Sequence, residues 1–212
     1  MLTAWISKHS KSTNMKILID NGHGVETPGK RSPDGVFREY AWAREIACMV
    51  CDILQAEGYD AQLLVPEVSD VPLTERCRRA NQYSKKDTLL VSVHVNAAGN
   101  GTRWNVARGW SIYTTRGITE ADKLAQHIWT AAKNIFNAPA TVRSYSNAYL
   151  GHDYEENFYI LLHSYCPAVL IENFFQDNKE DVAYLNSDIG KACCAEVIVT
   201  GVKSYIEEKL YG

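Results

Sequence analysis

Apolar and polar positions along this chain follow two alternating rhythms. Short apolar runs read as strands, and between them apolar residues recur every three or four positions, the spacing of one helix face. "KILID" (16–20) is a first strand, followed by a Gly- and Pro-rich loop from Asn21 to about Val36. Over about 39 to 57, Trp42, Ile46, Met49 and Ile53 mark a helix that Gly58 ends. "AQLLV" (61–65) reads as a second strand, and a helix beginning near Pro72 carries "LTERCRRANQYSK". "TLLVSVHV" (88–95) is a continuous apolar run, as expected of a strand covered on both faces. "GWSIYTT" (109–115) alternates and is expected nearer an edge.

Thr119 suits a helix N-cap, with Asp122 three residues on and Leu124, Ile128, Ala132 and Ile135 on one face. A polar, Tyr-rich loop (137–157) follows. "FYILLHSYCPAVLIENFF" then holds a helix-like turn and a strand, "AVLIE". A last helix from about 188 to 209 presents Cys194, Ile198, Val202 and Tyr205 as its inner stripe. Alternating β and α elements predict one α/β domain. Its sheet is expected to be mixed but mostly parallel with helices on both faces.

The 212 residues suffice for one sizeable core, expected over 15–212, with 1–14 a loose tail ahead of a second methionine, Met15. The tail lacks the apolar stretch of a secretory signal, and no run approaches the ~20 apolar residues of a membrane span. A net charge of −3 gives no electrostatic case for nucleic acid or an anionic membrane. Cys48 and Cys51 have CxxC spacing, but no second pair completes a zinc site. Both are expected to be buried, unliganded thiols on the apolar face of the first helix.

In open α/β sheets functional groups gather at the carboxyl ends of strands. Here the first strand delivers Asp20, Asn21 and His23, the 88–95 strand Ser92, His94 and Asn96, and the "AVLIE" strand Glu172 and Asn173. Glu39 opens the first helix. Singly, each has a plain explanation: a strand-end histidine, an acid favoured by a helix N-terminus, a paired carboxylate. Together they match another pattern. Two histidines and a carboxylate form a common catalytic zinc set, and a further carboxylate supplies a base. His23 between Gly22 and Gly24 is then expected to leave the sheet towards an open site, with room for substrate backbone beside it.

"IDNGHG", "REY", "LTERCRRAN", "LLVSVHVNA", "GWSIYTT" and "PAVLIENFFQDNKED", in this order, resemble the zinc-dependent N-acetylmuramoyl-L-alanine amidases of the amidase 3 family over residues 15 to 209. The resemblance implies a phosphorylase/hydrolase-like α/β fold and one Zn2+ per chain on His23, Glu39 and His94, with Glu172 as the catalytic carboxylate. It implies hydrolysis of the amide between the lactyl group of N-acetylmuramic acid and L-alanine in peptidoglycan. Asn96 and Asn173 are expected to orient substrate, and a monomer is expected. A zinc peptidase cutting within the stem peptide and a non-catalytic wall-binding module are the alternatives. Without a visible signal, the chain is expected to be made in the cytoplasm and to act on the wall after release, like an endolysin; a chain with its signal removed would look the same. Two positions depart from the family. Phe174 stands where E-x-G-F is usual and is expected to alter substrate fit, and His163 replaces a frequent Arg, for which a surface role or one behind the site is expected.

Overall fold

The computed structural model describes residues 15–145 and 151–211, so the expected tail and part of the Tyr-rich loop lie outside the described residues. Six strands form one sheet: β1 (Lys16–Asn21), β2 (Asp60–Leu63), β3 (Thr88–Asn96), β4 (Ser111–Thr114), β5 (Tyr154–Glu155) and β6 (Ala168–Phe175). Their order is β2-β1-β3-β6-β4-β5. The first four in that order run parallel, and β4 lies antiparallel to β6, which makes the sheet mixed and mostly parallel. β4 lies one strand from the edge, covered by the two residues of β5 that the polar loop concealed.

The helices are α1 (Glu39–Ala56), α2 (Leu73–Ala80), α3 (Glu120–Ile135), α4 (Tyr159–His163), α5 (Lys179–Asn186) and α6 (Asp188–Tyr211). α3 begins with a capping box. The Thr119 hydroxyl accepts from Ala121 N, and the Asp122 carboxylate accepts from Thr119 N. Such a cap contributes about 1 kcal/mol. The separate helix α5 was not legible as periodicity. Asn178 caps it by accepting from the backbone N–H groups of Glu180 and Asp181.

Two cores of unequal size flank the sheet. Ile17, Ile19, Leu89, Val91, Val93, Val169 and Ile171 face the larger one, filled by α1, α3, α5 and α6. Leu18, Leu90, Ala168 and Leu170 face a smaller one under α2 and α4. On this second face the next residue of the same phase in each strand is polar: Asp20, Ser92, His94 and Glu172. Two short helices do not cover the whole face: Asp20 and Ser92 are buried, while His94 and Glu172 at its carboxyl end are half-buried. Within α1, Val50 and Leu54 are fully buried, whereas Met49 and Ile53 pack only at its margin. Cys51 is buried as expected, but Cys48 is only half-buried. No helix among the described residues is long and apolar enough to cross a membrane.

Candidate metal centre

β1 leaves the sheet through Gly22, His23 and Gly24. His23 itself has the left-handed backbone, with φ of 64°, which costs a non-glycine residue about 1–2 kcal/mol. The flanking glycines answer to crowding. A Cβ on Gly22 would stand 2.3 Å from Cε1 of His94, and one on Gly24 would stand 2.1 Å from the Asp70 nitrogen. The expectation that these glycines leave room for substrate backbone is thus corrected: they leave room for the second histidine and for the loop before α2.

That exit is anchored by Arg76 of α2, which is 2% exposed. Its guanidinium donates to Asp20 Oδ1 at 2.7 Å, to the carbonyls of Asn21 and His23 at 2.7 and 3.2 Å, and to Asp70 Oδ1 at 3.2 Å. Ser92 Oγ donates to the other Asp20 oxygen at 2.5 Å. Asp20 therefore neutralises a buried arginine and is occupied away from the site. The sequence contained a signal for Arg76, a cation on the inner side of a short helix, but helical spacing alone could not say what it holds.

Three side chains converge above this anchor. Nε2 of His23 and Nδ1 of His94 lie 3.3 and 3.2 Å from Glu39 Oε1. The two imidazoles meet edge to face, with centroids 4.9 Å apart. Glu39 is 1% exposed. Its Oε1 also accepts from the Val95 backbone N–H at 3.0 Å, and its Oε2 accepts from Gln176 Nε2 at 3.1 Å.

Ligand atoms from His23, Glu39 and His94 all lie within 4.8 Å of one another. A tetrahedral zinc with bonds of about 2.0–2.1 Å separates its ligands by roughly 3.3 Å. The two nitrogen–oxygen separations already have that length, and the donor set is the mixed nitrogen–oxygen kind zinc accepts. The residues fit the ion.

Burial and mutual charge act differently on the three groups. Burial alone would raise the Glu39 carboxyl, but hydrogen bonds and charge from both histidines outweigh it and hold it far below the usual carboxylate range. Burial lowers His23 against the pull of Glu39, whereas at His94 the same burial is outweighed by Glu39 and the imidazole rises. An ionised Glu39 and a neutral His23 are forms that bind a cation, whereas His94 must give up its proton to join them.

Glu172 stands directly opposite His94 in the β3–β6 ladder. Burial pushes its carboxyl upward, opposed by the adjacent His94. Its Oε2 is covered and has no hydrogen-bond partner among the described residues. A cleft of about 370 Å³ lined by Asp20, His23, Val71, Pro72, Arg76 and His94 opens beside the two histidines. A larger hollow of about 670 Å³ lies at the amino ends of β3 and β6, among Asp87, Leu161, Ala168 and Lys209, away from these groups.

Beyond Glu172 the ladder slips: His94 pairs with Glu172, but Asn96 pairs with Phe175. The extra residue rephases the strand. Phe174, with φ of 62°, turns into the larger core and packs on Phe136 and Tyr184, each with centroids 5.2 Å away. It does not border the site, contrary to the expectation of altered substrate fit. Asn173 is fully buried, and its Nδ2 donates to the His94 carbonyl at 3.1 Å, so it braces β3 instead of facing a ligand. Asn96 is half-buried, and its Oδ1 accepts from Ala97 N. His163 is exposed at the end of α4, its ring 4.1 Å from that of Tyr159.

Sequence reading also missed Gln176 and Asp177, which follow the slip. Asp177 is fully buried and accepts from the backbone of Ala98 and Gly99 and from Asn105 Nδ2, tying down the loop after β3. The run "QDN" carried a turn signal and nothing more specific.

Known proteins bear on this arrangement. AmiC, an N-acetylmuramoyl-L-alanine amidase of Neisseria meningitidis, is 26% identical over 90% of this chain and 52% of its own length. The endolysin of Bacillus phage SPP1 is 28% identical over 81% of this chain and 59% of its own. The chain thus spans between about half and three-fifths of these two curated relatives. The crystal structure of an N-acetylmuramoyl-L-alanine amidase from Clostridium difficile superposes with a TM-score of 0.75 at 28% identity, covering 93% of this chain and 100% of that one. The family profile extends from β1, whose exit carries His23, into α6 and so takes in the whole centre: with residues 17–204 matched, this chain belongs to the N-acetylmuramoyl-L-alanine amidase family.

Proposed function

We propose that this chain hydrolyses the amide that joins the lactyl group of N-acetylmuramic acid to L-alanine in peptidoglycan, using one zinc ion held by His23, Glu39 and His94. The observation that carries the reading is the placement of Glu172 opposite His94 on the open face, beside a metal-type cluster, in a chain of this family. When bound, the ion polarises the scissile carbonyl and lowers the pKa of water. The chain's own residues do the rest. Glu172 takes a proton from the attacking water. The carbon–nitrogen bond then breaks, and the same carboxyl returns the proton to the departing alanine nitrogen. The products are a lactyl carboxylate and a stem peptide with a free amine. Asn96 keeps its Nδ2 without a hydrogen bond among the described residues and is positioned to meet substrate where β3 ends. The likeness to a phage endolysin supports action on the wall.

Digestion of purified muropeptides followed by mass spectrometry tests the reading. The expected products are intact stem peptides beginning with a free L-alanine amine. Cleavage inside the stem would make the chain a peptidase, and binding without cleavage a wall-binding module. Metal analysis is expected to give one zinc per chain. Chelation is expected to abolish hydrolysis, and added zinc to restore it.

A further inference from the structure

The two oxygens of Glu39 stand in different surroundings. Oε1 faces both histidines and accepts from the Val95 N–H. Oε2 faces away from them and accepts from Gln176 Nε2 at 3.1 Å. Gln176 is 2% exposed, and its backbone N–H donates to the Asn96 carbonyl at 2.8 Å just past the slip in the β3–β6 ladder. Its amide is therefore carried by the same irregularity that follows Glu172. A buried glutamine with one donor committed to a carboxylate is costly to place without a purpose, because its Oε1 has no partner among the described residues.

Resting on the metal reading above, we propose that Gln176 is a positioning residue that makes Glu39 a one-oxygen zinc ligand. By occupying Oε2, the amide keeps the carboxylate from turning to offer both oxygens. A second bound oxygen would fill a position that water and the substrate carbonyl must share, since a catalytic zinc works through an open position beside three protein ligands. Partners behind a ligand set its orientation, and their loss commonly costs 10–100-fold in metal affinity or activity. Asn173 acts on the other side of the same slip by bracing the His94 carbonyl, so two amides from one short segment grip two of the three ligand-bearing elements.

Two measurements test this. Infrared difference spectra of the full chain, zinc-loaded minus zinc-free, with carbon-13 glutamate labelling, separate the two binding modes. A one-oxygen carboxylate splits its stretching bands more widely than a free one, and a two-oxygen carboxylate splits them less. The native protein is expected to show the wide splitting. Gln176→Met, which keeps the length and loses the donor, is expected to move to the narrow splitting and to change zinc affinity, read by chelator competition, by about 10–100-fold. Circular dichroism establishes that the variant is folded, and the native infrared result stands even if it is not. A narrow splitting in the native protein, or a folded variant with native spectrum and affinity, overturns the proposal alone. A native chain that binds no zinc overturns the metal reading and this proposal together.

Discussion

Glu172 and His94 face each other across neighbouring parallel strands, and both point to the half of the sheet that α2 and α4 leave uncovered. That pairing puts a carboxyl whose ionisation is opposed by burial next to the metal-type cluster, with one of its oxygens lacking a hydrogen bond among the described residues. Glu172→Gln preserves volume and polarity but removes the base. It is expected to retain fold and zinc while turnover falls on the order of 10²–10⁴-fold. Metal content and hydrolysis measured on one preparation check this. Lost zinc would make Glu172 a ligand, and retained turnover would place the base elsewhere.

Phe174 tests the strain at the slip. Its left-handed backbone costs about 1–2 kcal/mol relative to glycine, while removing a buried aromatic side chain costs about 3–5 kcal/mol. Packing wins, so Phe174→Gly is expected to be less stable than the native chain. Phe174→Ala loses most of the ring contacts and keeps the strain, so it is expected to be less stable still. Urea denaturation gives the order directly. A glycine variant more stable than the native chain would show that strain dominates.

Arg76 and Asp20 form a buried ion pair, and removing one partner of such a pair typically costs about 3–5 kcal/mol. Arg76→Met also frees the carbonyls of Asn21 and His23, which hold the left-handed turn. The expected result is lower stability together with weaker zinc binding in the molecules that remain folded. If chelator competition shows native affinity, the His23 turn is held by its own packing.

The cysteines should separate into two groups. Burial pushes the thiol of Cys51 up to about 12 and that of Cys166 up to about 11, and it also holds Cys77 and Cys194 above the ordinary thiol value. Thiolate is the reactive form. Cys48 and Cys193, half-buried, are therefore expected to react first with a thiol reagent at pH 8. Cys51, Cys77, Cys166 and Cys194 should become reactive only on unfolding, read by peptide mapping of the labelled chain. Rapid labelling of Cys51 in the native protein would contradict its place in the core.

What the sequence determined by itself is the longer elements whose signals are local. The apolar runs at 16–20 and 88–95 became central strands because period and branched side chains fix such elements without reference to distant residues. Thr119 capped its helix because the cap and its partner lie within one turn. His23, Glu39, His94 and Glu172 were legible because residue type and position at strand or helix ends survive folding unchanged.

The tertiary structure decided what depends on phase and on contacts between distant segments. One extra residue in β6 sends Phe174 to the far core and Asn173 behind His94, whereas strict alternation from Glu172 would have set Phe174 beside it. No periodicity announces such a slip, because it arises from pairing with β3. The glycines around His23 likewise answer to a ring and a loop that arrive from residues 94 and 70. Arg76 and Gln176 acquired their parts only when α2 and the segment after β6 were packed against the ends of β1 and α1. A ligand's identity is chemical and is written locally, but its orientation is set by the segments packed around it.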